Sequence, residues 1–182
     1  MLAALAGPAR AGMAAFAGVV DLDGRPVAAL PATGTTVLVF TRTDCPISNR
    51  YAPELRRLGQ RFAGHGVTLR LVYVDPAETP AAIREHARAY GLGPDVLRDP
   101  WHELVRLAGA TVTPEAVVFV AEPAGPRLVY RGRIDDRAVD LGRTRPRPRT
   151  RDLADVLEAL SAGQAPALRT TTAVGCVIPE PR

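Results

Sequence analysis

Hydrophobic positions recur with two different periods along this chain, and the switches between them outline its elements. Thr36 to Thr41 (TVLVFT) is a short, continuously apolar, β-branched run. That pattern predicts a strand buried on both faces. Ile47, Tyr51, Leu55, Leu58 and Phe62 then recur at intervals of four and three, one apolar stripe of a helix that Gly64 and Gly66 end. Val67 to Val74 alternates and then runs apolar, a second strand. Thr79-Pro80 opens a second helix, with Thr79 as N-cap and Pro80 in the first turn, and Gly91 and Gly93 close it. Asp99-Pro100 repeats the signal for a short helix through Leu107, with a further strand expected between these two helices. Ala116–Val120 and Leu128–Tyr130 read as strands joined by the turn formers of Glu122 to Pro126. Leu153, Val156, Leu157 and Leu160 mark a last amphipathic helix, ended by Gly163. Upstream, apolar residues flank Asp23-Gly24 within Val19–Val27, a hairpin signal.

This order predicts an α/β fold: a central mixed β-sheet, helices on both faces and an N-terminal β-hairpin. The early strand–helix–strand units imply parallel neighbours with right-handed crossovers. Residues 16–163 read as one domain. Residues 1–15 read as a flexible tail or signal remnant, and 164–182 as an extended tail carrying Cys176.

At 182 residues the chain suits a single core, and two cysteines exclude a disulfide-rich scaffold and a multi-cysteine zinc cluster. The formal charge of +4 changes little, because all 23 cations are arginine. With the heavy Ala, Gly and Pro usage, this reads as GC-rich codon usage rather than selection for phosphate. The Arg143–Arg151 run has no interleaved aromatics to stack bases, so no nucleic-acid partner is expected. Met1 to Val20 is too rich in Ala and Gly, and too broken by Pro8, for a membrane span. Ala9-Arg10-Ala11 fits a small-x-small cleavage site. An exported and a cytoplasmic location both remain open.

The chemistry concentrates in Thr41-Arg42-Thr43-Asp44-Cys45-Pro46-Ile47-Ser48, where a buried strand ends and a long helix begins. A cysteine there meets free N–H groups and the helix dipole, and both favour the thiolate. The reading places its sulfur at the solvent-open end of the helix; the alternative is a buried cysteine acting as a small hydrophobe. Asp44 opposes ionisation and Arg42 and Arg50 offset it. Ser48 stands three residues on, where its hydroxyl can donate to sulfur but cannot close a disulfide. Cys176 is either the distant partner of Cys45 or a free thiol in the tail. His65, His86 and His102 lie in separate elements without metal-binding spacing and read as surface or partly buried residues. Asp135 and Asp136 read as a charged loop with local ion pairs, and Trp101 as core or helix-end packing.

The segments DLDGRPV, CPISNRYAPEL from Cys45, GATVTPEAVVF from Gly109, LVYRGRIDD from Leu128 and AVGCVIP near the end carry a resemblance. Together they look like a thioredoxin-like redoxin of the alkyl hydroperoxide reductase/thiol-specific antioxidant (peroxiredoxin-like) family, across roughly residues 16 to 178. Pro53 matches the helix proline of thioredoxins, and Thr113-Pro114 matches their cis-proline, which faces the active thiol. The resemblance implies a thiol-disulfide oxidoreductase or antioxidant protein. Cys45 would be the nucleophile and Cys176 the candidate resolving residue. Ser48 would stand beside the thiol, and Thr113 and Pro114 would form the opposite wall, Thr113 aligning an extended substrate through its backbone. No cofactor or metal is needed, since sulfur carries the electrons; the partner would be a thiol or disulfide protein, a small thiol donor, or a peroxide. This sequence departs from the peroxiredoxin Pro-x-x-x-Thr/Ser-x-x-Cys pattern at Leu38 and Arg42. It departs from thioredoxins at Val39, where they carry a buried acid, and at Ser48, where they carry a second cysteine. A non-catalytic binding module and a weak thiol peroxidase are the alternatives.

Overall fold

The structure, a computed structural model, describes residues 16–181 apart from 29, 31, 94 and 165. The expected tail over residues 1–15 lies outside the described residues. The apolar run forms β1 (Thr35–Thr41), buried along its whole length. It is followed by α1 (Pro46–Phe62), β2 (Val67–Tyr73), α2 (Pro80–Ala89), β3 (Val96–Arg98) and α3 (Glu103–Ala108). Then come β4 (Val112–Thr113), β5 (Glu115–Glu122), β6 (Gly125–Gly132), β7 (Ala138–Asp140), β8 (Arg143–Thr144), α4 (Asp152–Ser161), β9 (Arg169–Thr170) and β10 (Cys176–Val177).

Six strands make one mixed sheet in the order β3-β2-β1-β5-β6-β9. β1 lies parallel to β2 and antiparallel to β5, with Val39 level with Leu71 on one side and Ala116 on the other. Its side chains divide by parity, as the pleat requires. Val37 and Val39 join the core under α1, α2 and α4; Leu38 and Phe40 join the core under α3 and the N-terminal segment. Each of these four is fully buried, worth about 1.5–3 kcal/mol apiece. This double burial makes the end of β1 the most firmly held point from which a functional loop can leave.

Three expectations change in detail. The Asp23-Gly24 reversal is present, with Gly24 at φ 80, but it closes through the single bridge Val20↔Pro26 rather than paired strands. The third helix begins at Glu103, not after Asp99. The Asp99 carboxylate accepts the N–H groups of Glu103 (2.7 Å) and Val105 (2.9 Å), so residues 100–102 form the bend that this cap closes over. Thr79 does cap α2, accepting from Ala82 N at 3.2 Å. Trp101 is 59% exposed rather than packed in the core.

Candidate active site

Cys45 is the N-cap of α1, with extended backbone (φ −83, ψ 106) and Pro46 in the first turn. The position matches the sequence reading; the exposure does not. Cys45 is fully buried, because the C-terminal segment crosses over it. β10 pairs antiparallel with β4, placing Cys176 opposite Thr113. The Cys45 Sγ consequently lies 2.8 Å from Cys176 Sγ and 3.0 Å from the Thr113 carbonyl oxygen, both cysteines being free thiols. The Thr113–Pro114 bond is cis, and Pro53 lies inside α1. The structure thus brings Cys45, Ser48, Thr113 and Cys176 together.

The tail reaches this point on a defined path. β9 runs beside β6, and the Thr171 hydroxyl meets Tyr130 Oη at 2.7 Å and accepts from Arg133 N at 3.1 Å. Arg169 and Arg133 both pair with Asp152, which is 1% exposed. Beyond this anchor, Gly175 lies against the Thr113 carbonyl so closely that a Cβ there would collide with it. The Ile178 N–H donates to Thr111 O at 3.2 Å, and its side chain enters the second core. Arg42 adds a clasp: one Nη donates to Val177 O at 3.4 Å, while the other pairs with Asp44 (2.8 Å) and Asp75 (3.3 Å).

The two thiols are tuned in opposite directions. Burial resists ionisation of Cys45, but hydrogen bonds from Cys176, from the Ser48 hydroxyl and amide and from the Thr113 hydroxyl outweigh it and hold this thiol below the ordinary cysteine value. The Ser48 hydroxyl is buried without a hydrogen-bond partner, a donor held in reserve for the charged sulfur. The Thr113 carbonyl works the other way, since it can only accept from the protonated thiol. Burial, and then the hydrogen bond and charge of Cys45, push Cys176 up to about 12. A thiolate at 45 with a thiol at 176 is the arrangement these contacts favour.

Several residues read from sequence stand elsewhere. Arg50 is exposed on α1. His65 is exposed, whereas His86 (8%) and His102 (4%) are buried, contrary to expectation, each with hydrogen-bond partners. Among the described residues no group of three or more His, Cys, Asp or Glu could hold a metal ion. Asp135 and Asp136 form the expected local ion pairs, with Arg137 (3.6 Å) and Arg145 (3.5 Å), but both carboxylates are buried. Asp135 accepts from Tyr51 Oη at 2.6 Å, and Asp136 accepts the N–H groups of Arg149 and Thr150, closing the arginine-rich loop around itself. Sequence reasoning passed over Gly175, Asn49 and Glu78. Gly175 beside a cysteine, and Asn49 within the quoted CPISNRYAPEL segment, were the available signals. Two surface grooves, one beside Leu55, Leu69 and Leu92 and one beside Thr35, Val120 and Leu160, are lined by neither cysteine. No described helix is long and apolar enough to cross a membrane.

Comparison with known proteins agrees with this architecture. An uncharacterized conserved protein from Geobacillus kaustophilus is 23% identical with a TM-score of 0.73, over 88% of this chain and 86% of that one. A hypothetical protein from Sinorhizobium meliloti is 24% identical with a TM-score of 0.66, over 87% of both chains. A secreted disulfide oxidoreductase from Mycobacterium tuberculosis is 19% identical with a TM-score of 0.53, over 78% of this chain and 93% of that one. No curated protein matches the chain. The AhpC/TSA family profile matches residues 13–126, which span β1, the Cys45 junction and the Thr113–Pro114 turn. With that match across most of its folded core and a mixed sheet shared with these structures, the chain belongs to the AhpC/TSA family and is a thioredoxin-like redoxin.

Proposed function

We propose that this protein is a thiol-disulfide oxidoreductase whose redox pair is Cys45 and Cys176. One observation carries the reading: two free thiols 131 residues apart in sequence lie 2.8 Å apart at the start of α1, with opposite shifts in acidity. A merely structural cysteine needs neither a sulfur neighbour nor stabilisation of its charge.

The Cys45 thiolate attacks one sulfur of a substrate disulfide, forming a mixed disulfide and expelling the other substrate sulfur as a thiolate. The charge that held Cys176 protonated is then gone. Cys176 gives its proton to the departing thiolate and attacks the Cys45 sulfur. The second substrate thiol leaves, and a Cys45–Cys176 disulfide remains. The substrate gains two electrons and the protein loses two; an external thiol donor restores the dithiol. Because Cys45 is fully buried under the tail, residues 172–178 lift before the substrate binds, while the Thr171 anchor stays in place. Thr113 has its backbone free for an extended substrate only in that lifted state. The antioxidant role would follow from the same thiolate attacking a peroxide oxygen. Arg42 occupies the position where a peroxidatic hydroxyl would stand, and its side chain is spent on Asp44, Asp75 and the tail. Disulfide exchange is therefore the favoured reaction.

The test compares wild type with Cys45→Ser and Cys176→Ser in disulfide reduction and in peroxide consumption, each with a dithiol donor. The reading expects disulfide reduction that depends on Cys45 and exceeds peroxide consumption. Equal rates for wild type and Cys45→Ser would instead identify a binding module.

A further inference from the structure

Behind Cys45 runs a chain of polar groups that the reaction above does not use. Thr43, two residues before the cysteine, is held at both ends of its backbone. Its N–H donates to Glu78 Oε1 at 2.5 Å, and its C=O accepts from Asn49 Nδ2 at 3.1 Å. Asn49 also donates its own backbone N–H to Cys45 C=O at 3.0 Å. The backbone bond is the first of α1; the side-chain bond to Thr43 is what asparagine adds.

The orientation of Asn49 is itself determined. Since Nδ2 donates to Thr43, Oδ1 is the acceptor, and it faces His86 Nε2 at 2.7 Å. Nε2 must carry the imidazole proton, which leaves Nδ1 to accept from Tyr73 Oη at 2.8 Å. The hydrogen bonds run one way, from Tyr73 on β2 through His86 on α2 and Asn49 on α1 to the loop before Cys45. Tyr73 is 1% exposed and His86 8%, and their rings meet edge to face at 5.7 Å. Burial holds His86 below the ordinary histidine value, in keeping with a neutral ring of a single tautomer. Apolar side chains would fill this volume at lower desolvation cost. The links from Tyr73 through His86 and Asn49 are each satisfied, which fixes one geometry, and they end on the Thr43 carbonyl two residues before the reacting cysteine.

We propose that Asn49, oriented by His86 and Tyr73, is a positioning residue for Cys45: it holds the Thr43–Cys45 segment so that the sulfur stays at the N-terminus of α1, against Cys176. The inference rests on reading Cys45 as the nucleophile. It adds three residues from three elements, none of them touching substrate.

The test is an ultraviolet thiolate titration in the Cys176→Ser background, where Cys45 is the only cysteine and absorbance needs no access to it. Asn49→Leu is expected to raise the Cys45 midpoint by about one pH unit, the scale of one net hydrogen bond to a charged group. His86→Leu should move it in the same direction by less. Tyr73→Phe, which removes one hydroxyl and keeps the packing, should move it by a few tenths of a unit, roughly the lower end of a hydrogen bond's net worth. A purely structural role predicts a lower thermal midpoint in each variant with the titration unmoved, and that result overturns the inference. If Asn49→Leu fails to fold, Tyr73→Phe decides, and an unmoved midpoint overturns it equally. An ordinary Cys45 midpoint both in this background and in the wild type, where the second thiol ionises far higher, contradicts the nucleophile reading and, with it, the inference.

Discussion

The two sulfurs of the site are held by segments built in opposite ways. Cys45 stands four residues beyond a strand whose Val37–Phe40 core has no solvent exposure and which is paired on both sides. Cys176 stands on a two-residue strand that leans on another two-residue strand, and the next residue, Val177, is 74% exposed. One sulfur is fixed by the body of the fold and the other is delivered to it by a short strap. The acidities follow the same division: the fixed thiol is lowered, the delivered one raised to about 12. The lesson is that reactivity and mobility are assigned to different ends of the chain. Local opening favours segments with few buried contacts, and the proposed exchange asks such opening of the cover over the nucleophile.

The contrast can be broken at either end. The largest effect belongs to the fixed sulfur: Cys45→Ser should abolish disulfide exchange, whereas Cys176→Ser should still take the first step and stall as a mixed disulfide visible by mass. Next comes the strap. Gly175→Val places a side chain against the Thr113 carbonyl and pushes the delivered sulfur away. Disulfide closure, followed by quenched alkylation, should slow by roughly 100-fold, the usual cost of misplacing reacting atoms by about an ångström, with the circular dichroism spectrum unchanged.

The tail's anchor gives a stability effect. Asp152→Asn leaves Arg133 and Arg169, both partly exposed, without their buried partner. The expected loss is about 2 kcal/mol in urea unfolding, less than for a wholly buried pair. The sign with pH is definite. Burial works against the Asp152 charge, but hydrogen bonds from Thr150 and Arg133 outweigh it and hold the carboxyl below 3.8. Its contribution is present above that value and is lost as pH falls through the lowered one. The difference between wild type and Asp152→Asn should therefore shrink as pH falls below 3.8. The smallest effect is at the clasp: Arg42→Met removes a 3.4 Å hydrogen bond to Val177 O and should raise the alkylation rate of Cys45 by about twofold.

What could be read from sequence follows the same division. The run TVLVFT and the stripe from Ile47 to Phe62 carry their own periodicity, so β1, α1 and the Cys45-Pro46 junction between them were legible. The Asp99 cap was half legible. The residue type marks a helix start, but its carboxylate acts on Glu103 and Val105, and local sequence does not say how far along the chain a cap reaches. The burial of Cys45 was not legible at all. It depends on Cys176 to Ile178 pairing with residues more than 60 positions earlier, through a strand too short to leave a pattern. Nor was the Tyr73–His86–Asn49 chain, since a lone histidine on a helix carries no mark of the partners that two other elements bring to it.

The most direct test of the redox pair is to oxidise the reduced protein mildly in a thiol/disulfide buffer, alkylate, digest and map the linkage. The expected result is a bridge between the peptides holding Cys45 and Cys176, within one chain and fully reversible by dithiol. Two cysteines that both stay alkylatable, or that link only between chains, would contradict it.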